Sequence, residues 1–384
     1  MNSLLKKFTF SEELTDVIEN CKGVSVPTSK AELYDMVFGP EHADVYDVVF
    51  DVPGKGLFKE ADVVRCKNGA SVNFTEDYMR RREPDCMRIA DDKPTDKKRF
   101  ADVYGYKFDK LRQETMEWFK TQELILMPFN SGGNEYGSML VCPKQCAFFA
   151  FALAHLQGFV NAEETEGYKP RAIIYVAPPF RHTHFEGKQV VVHNRLDDCH
   201  EVFSYNLYPG PSAKKGVYSV LLDIGEQEGW TTCHTSAGRL ITPYENELVI
   251  MHEGASGGGK SEMLQDIARE PDGEVLLSTN TVTGEKTYLH IGSTCKIEPV
   301  CDDMATCYPG VQNNSGKLVL VDGEDGWFLR MDGVTHYGCD PVYERICTEP
   351  KEPLCFFNME GHPGATLLIW EHTLDSNGKP CSNP

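Results

Sequence analysis

Apolar positions along this chain alternate between helical and strand-like spacing, and the switches outline a mixed architecture. From Ser11 to Met36 they fall at Leu14, Val17, Ile18 and Leu33, continuing to Val37, a helical pattern. Val45 to Val64 is strand-like and broken by Pro53-Gly54. Phe108 to Phe119 reads as a helix and Leu124 to Met127 as a strand. The longest apolar segment, about Ala147 to Val160, contains His155 and Gln157; it is too short to span a bilayer and reads as a buried helix. Arg171 to Ala177, Gln189 to His193 and Glu201 to Tyr205 predict three strands, and Val217 to Leu222 a helix. Arg181-His182-Thr183-His184, between the first two strands, reads as loop, because two histidines at i, i+2 are weak evidence for a metal. Farther on, 270–296 is polar and turn-rich, as an inserted hairpin would be, and Lys317 to Val321 and Ala365 to Trp370 are strand-like. These elements predict an α/β protein.

One stretch carries chemistry. Leu248 to Met251 predicts a buried strand and Met263 to Ala268 a helix, with Gly254-Ala255-Ser256-Gly257-Gly258-Gly259-Lys260-Ser261-Glu262 between them. Gly254, Gly259, Lys260 and Ser261 fit the phosphate-loop pattern Gly-x-x-x-x-Gly-Lys-Ser. Such a loop turns successive backbone N–H groups toward phosphate oxygens, and its glycines allow the dihedrals this needs. The following helix N-terminus favours the anion. In this pattern Lys260 reaches the β- and γ-phosphates and Ser261 places its hydroxyl on a divalent cation. The competing reading is a Gly-rich surface loop followed by chance by Lys-Ser; strand, loop and helix in register favour nucleotide binding. Asp302 and Asp303 close a later apolar-leaning segment and suit the cation-binding strand of a phosphate-loop site. Tyr78 to Asp85 holds the basic triplet Arg80-Arg81-Arg82, either a solvated face or an anion clamp.

Length and charge narrow the setting. At 384 residues the chain predicts two domains. A net charge of −20 argues against nucleic-acid and anionic-membrane partners. Fourteen cysteines without a CxxC pair point to reduced thiols in a cytoplasmic protein, and the first residues lack the pattern of a signal peptide.

Taken together, Lys214-Lys215-Gly216-Val217-Tyr218-Ser219, Cys233-His234-Thr235-Ser236-Ala237, Ser256 to Ser261 and Asp302-Asp303 resemble the ordered motifs of ATP-dependent phosphoenolpyruvate carboxykinase. The chain is similar to a divergent bacterial branch of that group. Gly167 to Tyr175 resembles the family's Lys-Pro-x-x-Ile-Val-Tyr strand, and Arg82-Glu83-Pro84-Asp85 its substrate-binding segment. The resemblance covers about residues 80 to 305. It implies a carboxykinase-like two-domain fold, with a substrate-side domain at 1–235 and a P-loop nucleotide-binding domain at 236–384. It further implies ATP, Mg²⁺ and Mn²⁺ as cofactors and phosphoryl transfer to a small carboxylate or phosphorylated substrate. Lys215, His234 and Asp303 would hold Mn²⁺; Ser261, with Asp302 through water, would hold the nucleotide's Mg²⁺. Lys260, Lys214 and Arg82 would be catalytic, and Arg82 and Tyr208 would bind substrate. A metal-ligating Lys215 must be neutral, and the neighbouring charge of Lys214 works in that direction.

Several positions depart from the family. Its Glu-Met before the two lysines is Ser212-Ala213 here, and Asp302-Asp303 is followed by Met304-Ala305. The family's γ-phosphate arginine and adenine-binding segment are expected beyond residue 384. Phosphoryl transfer is thus better supported than decarboxylation. The loop Ser256 to Glu262 is also similar to that of HPr serine kinase/phosphorylase, a protein kinase that lacks the Lys-Lys-Gly and His motifs. A nucleotide-binding regulatory protein without catalysis is the third reading.

Overall fold

The computed structural model describes residues 3–74, 85–132, 136–254, 258–264, 269–290, 292, 295–329, 341–359 and 361–366. The chain forms two compact units, one of residues 1–227 with 325–384 and the other of 228–324. The sequence reading placed a single boundary at 235; here the chain after residue 324 belongs with the first unit.

The first unit starts with α1 (Glu12–Asn20), β1 (Gly23–Ser25) and α2 (Lys30–Met36), where the sequence pattern read as one helical stretch. Two caps explain the split. Ser11 accepts from Leu14 N at 3.3 Å and Ser29 accepts from Glu32 N at 3.1 Å, so each helix has its own start. The hairpin β2 (Val45–Val52) and β3 (Gly56–Cys66) turns at the expected Pro53-Gly54 and leads into β4 (Gly69–Phe74). Next come β5 (Met87–Ile89), α3 (Phe100–Tyr104), α4 (Phe108–Phe119), β6 (Glu123–Ser131), β7 (Tyr136–Pro143) and α5 (Ala147–Gln157). Then β8 (Ala172–Val176), α6 (Phe180–His184), β9 (Val191–Arg195) and β10 (His200–Ser204) precede α7 (Lys215–Glu228).

Seven strands form a mixed sheet in the order β1-β6-β7-β8-β10-β9-β5. Helix α5 is apolar all round, as a buried helix is, and every residue except His155 is buried. It lies against β6 and β7 of this sheet. It also meets β19 (Leu354–Phe357), which joins β4, β3 and β2 in a four-stranded sheet. Burying Phe148, Phe149 and Phe151 here is worth about 2 kcal/mol each.

The segment Arg181 to His184, expected as loop, is helix α6, and Arg181 and His182 are buried in it. Arg181 Nη2 donates to Glu60 Oε2 at 2.7 Å, and His182 Nε2 lies 2.6 Å from Glu60 Oε1. Burial works to raise the Glu60 carboxyl, but His182 and Arg181 outweigh it and hold it below its ordinary value.

Among its described residues, the second unit consists of strands with short 3₁₀ turns between them. Its elements are β11 (Thr232–Cys233), β12 (Thr235–Ile241), β13 (Glu247–Glu253), β14 (Val275–Thr279), β15 (Lys286–Leu289), β16 (Lys296–Cys301), β17 (Ala305–Thr306) and β18 (Val321–Asp322). They form the sheets β13-β12-β16 and β11-β17-β18 and the hairpin β14-β15, the insertion read from the sequence. Of the strand expected at 317–321, only Val321 is in a strand; that expected at 365–370 is not a strand at Ala365 and Thr366, and 367–370 lie outside the described residues. The chain returns to the first unit with α8 (Pro341–Thr348), before β19.

The strand expected before the phosphate loop is present as β13, but it is not buried. It is an antiparallel edge strand, and Leu248 and Val249 are 57% and 53% exposed. Apolar composition named the strand; Leu248 and Val249 point to opposite faces of the sheet, and both stay largely uncovered. Among the described residues, no helix is long and apolar enough to cross a membrane.

Candidate functional site

Three segments distant in sequence meet at one end of the sheet β13-β12-β16. His234 sits immediately before β12. Antiparallel pairing places the end of β13 beside the start of β12, with Thr235 opposite Glu253. On the other side, Ala237 pairs with Cys301 at the end of β16. The residues that leave these strand ends are Gly254, which opens the loop, and Asp302-Asp303. Register therefore delivers the histidine, the loop and the two carboxylates to the same place.

Gly259 has φ +85°, a left-handed conformation that favours glycine, and turns the chain into Lys260. The Lys260 side chain is buried and lies 3.3 Å from Asp303 Oδ1. It also donates to the carbonyl of Gly254 at 3.0 Å. His234 Nε2 is 3.0 Å from the same Asp303 oxygen. Asp303 thus bridges a loop cation and an imidazole. Beside it Asp302 is buried, and its Oδ1 has no hydrogen-bond partner among the described residues. A buried carboxylate oxygen left unmatched is costly unless a proton donor or cation reaches it.

Ser236, part of the Cys233 to Ala237 motif, holds the loop in place. Its buried hydroxyl donates to the Lys260 carbonyl at 2.8 Å, tying β12 to the loop. Ser261 and Glu262 follow, and Glu262 opens a short 3₁₀ turn, Glu262–Leu264, where the sequence predicted a helix from Met263. Gly258 is described; Ala255, Ser256 and Gly257 lie outside the described residues, as do residues 265–268. Two thiols adjoin the site. Burial pushes Cys301 up to about 12, and burial with the neighbouring Cys233 thiol pushes Cys307 up to about 11. Neither is a thiolate nucleophile at neutral pH.

The remaining candidates belong to the first unit. Lys214 ends a π-helical turn, Gly210–Lys214, and Lys215 opens α7 with its Nζ 5.6 Å from the centre of the Tyr218 ring. Tyr208, expected in the substrate pocket, is a core residue at 1% exposure. Its ring packs edge-on against Phe74, Phe328 and Phe357 at 5.6, 6.2 and 6.0 Å. Arg82 lies outside the described residues.

Among the described residues, no group of three His, Cys, Asp or Glu side chains is placed to hold a metal ion. His234, Asp303 and Asp302 have the right chemistry for a cation, but they need further donors. Among the described residues the cysteines are free thiols.

No curated protein matches the sequence. A family model covers nearly all of it, residues 10–384, and the chain belongs to that family, described as Domain of unknown function (DUF4914).

Proposed function

We propose that the chain binds ATP with a divalent cation at Gly254 to Glu262 and transfers a phosphoryl group to a small carboxylate substrate, in the manner of a phosphoenolpyruvate carboxykinase-like enzyme. The supporting observation is the bridge of Lys260 and His234 through Asp303, 3.3 and 3.0 Å from one oxygen. A bare phosphate loop needs its lysine but has no need of a histidine on the same carboxylate.

Each residue then has a task. Lys260 would donate to phosphate oxygens that compete with Asp303 for its ammonium. Backbone N–H groups of the loop would take the remaining oxygens. His234 and Asp303 would hold Mn²⁺; Ser261 and the unmatched oxygen of Asp302 would hold Mg²⁺ directly or through water. When bound, these cations supply neutralisation of the charge on the transferred phosphoryl group. The protein's share is positioning and a low-dielectric wall, which the burial of Lys260, Asp302 and Asp303 provides.

The test is a titration of ATP with Mg²⁺ and Mn²⁺ against the full chain and its Lys260→Ala variant. Losing a charged donor to phosphate costs about 1.5–3 kcal/mol, so affinity should fall by roughly ten- to a hundredfold. Equal affinity in a folded variant removes the phosphate-loop reading. Turnover of oxaloacetate with ATP supports the small-substrate assignment, whereas phosphorylation of an HPr-like protein alone replaces it.

A further inference from the structure

The second unit carries a pair of thiols on neighbouring strands. Cys233 on β11 lies opposite Ala305 on β17. The Cys307 N–H donates to the Thr231 carbonyl at 3.1 Å, so Thr231 and Cys307 also stand opposite each other. Side chains alternate between the faces of a strand, so Thr231 and Cys233 share a face, and Cys307 shares it from across the pair. Cys233 and Cys307 are therefore diagonal neighbours, and their thiols adjoin. Their surroundings differ. Cys307 is 5% exposed, whereas Cys233 is half-buried and partly open to solvent. Cys301 also stands near Cys233, but it belongs to β16 in the other sheet, and its buried thiol already donates to the Thr235 carbonyl at 3.6 Å.

Such a pair can be oxidised in two steps. A peroxide meets Cys233, the more accessible thiol: a sulfur–oxygen bond forms, the oxygen–oxygen bond breaks, and water leaves. The Cys307 thiol then attacks the sulfenic sulfur. The sulfur–sulfur bond forms, the sulfur–oxygen bond breaks, and a second water carries off the thiol proton. The two thiols give up two electrons and two protons, and hydrogen peroxide takes them to become two waters. Geometry couples this bond to the candidate site. Diagonal partners stand about 7–8 Å apart at Cα and a disulfide spans about 4.4–6.8 Å, so closure draws Cys233 roughly 1 Å toward β17. His234 is the next residue, and its partner Asp303 lies two residues before Ala305. A bond closed by such a displacement is readily reduced again by a dithiol.

We propose that Cys233 and Cys307 form a reversible disulfide on meeting a peroxide, and that its closure shifts His234 relative to Asp303. The pair lies wholly within the second unit and stands whether or not the loop binds nucleotide.

Mass spectrometry of the full chain tests it, after treatment with stoichiometric hydrogen peroxide and blocking of the remaining thiols. Proteolysis should yield the Cys233 peptide joined to the Cys307 peptide, with two free thiols lost per chain and both restored by dithiothreitol. Cys233→Ser and Cys307→Ser should each abolish that loss of two thiols. Histidine ¹⁵N spectra should show the His234 signal moved by oxidation in the wild-type chain and unmoved by the same treatment in Cys233→Ser. Should Cys307→Ser fail to fold, Cys233→Ser, at the half-buried position, carries the comparison alone. Cys233 left as the thiol or stopped at the sulfinic acid, its joining to Cys301 or to a second chain, a bond that survives dithiothreitol, or a wild-type His234 signal that oxidation leaves in place each overturns the proposal.

Discussion

The two units solve the problem of holding polar groups in opposite ways. In the first, large rings and aliphatic side chains fill the space beside a seven-stranded sheet, from Leu14 and Val17 on α1 to Phe203 on β10 and Tyr205 just after it. Glu60 enters that interior with Arg181 and His182 as partners. In the second, a cluster of small residues, Ala237, Cys301 and Ala305, lies under a three-stranded sheet, and β13 shows Leu248 and Val249 to the outside. Yet the second unit carries the loop lysine, the histidine and the paired carboxylates. Strand register and ionic contact, rather than a thick core, place these groups. The chemistry of the candidate site and the bulk of the packing are thus located in different parts of the chain.

The contrast breaks most strongly in the core. Phe149→Ala removes a fully buried ring from α5 and should destabilise the first unit by about 3–5 kcal/mol, read by denaturant unfolding. ATP affinity of the protein that remains folded should stay at the wild-type value. A parallel loss of affinity would show that the division between packing and chemistry is false.

Acid sharpens the contrast by a smaller amount. Glu60, Asp91 and Asp223, all in the first unit, are held below their ordinary values of 4.5, 3.8 and 3.8. For each, burial is opposed and outweighed by a partner: His182 and Arg181, Arg195, and His200. The folded state then binds fewer protons than the unfolded chain, so their contribution is present above those ordinary values. It is lost as pH falls through the lower folded ones. Unfolding midpoints should hold from pH 7 to about pH 5 and drop below about pH 4. A midpoint that is flat down to pH 3 contradicts the assigned pairs.

Least should happen at the exposed edge. Leu248→Thr, at a position 57% exposed, should change stability by no more than about 0.5 kcal/mol. A loss above about 2 kcal/mol would mean that β13 packs like a core strand after all.

Most element types in the first unit were legible because their patterns are long or unambiguous. Helices α4 and α5 carry many apolar positions, and β8 and β9 carry runs of β-branched residues. The α1–α2 pattern misled because two short helices in succession mimic one long period until the caps at Ser11 and Ser29 are weighed. Helix α6 was missed because its five residues, Phe180–His184, are too few to show a period, and a distant Glu60 accounts for its buried charges. Tyr208, which the resemblance assigned to a substrate pocket, is enclosed by Phe74, Phe328 and Phe357, an environment made by residues distant in sequence.

By itself the sequence determined local matters: where glycines permit a left-handed turn, as at Gly259, which runs are strands or helices, and which residue types could meet a phosphate. These depend on dihedral preferences and spacing within a few residues. The tertiary structure alone decided that β13 is an edge strand and that β12 lies between it and β16. It also decided that Lys260, His234 and Asp303 share one oxygen, and that Cys307 comes to lie beside Cys233. Short apolar strands can pair with many neighbours in either direction, so their partners and register follow from the packing of the whole unit.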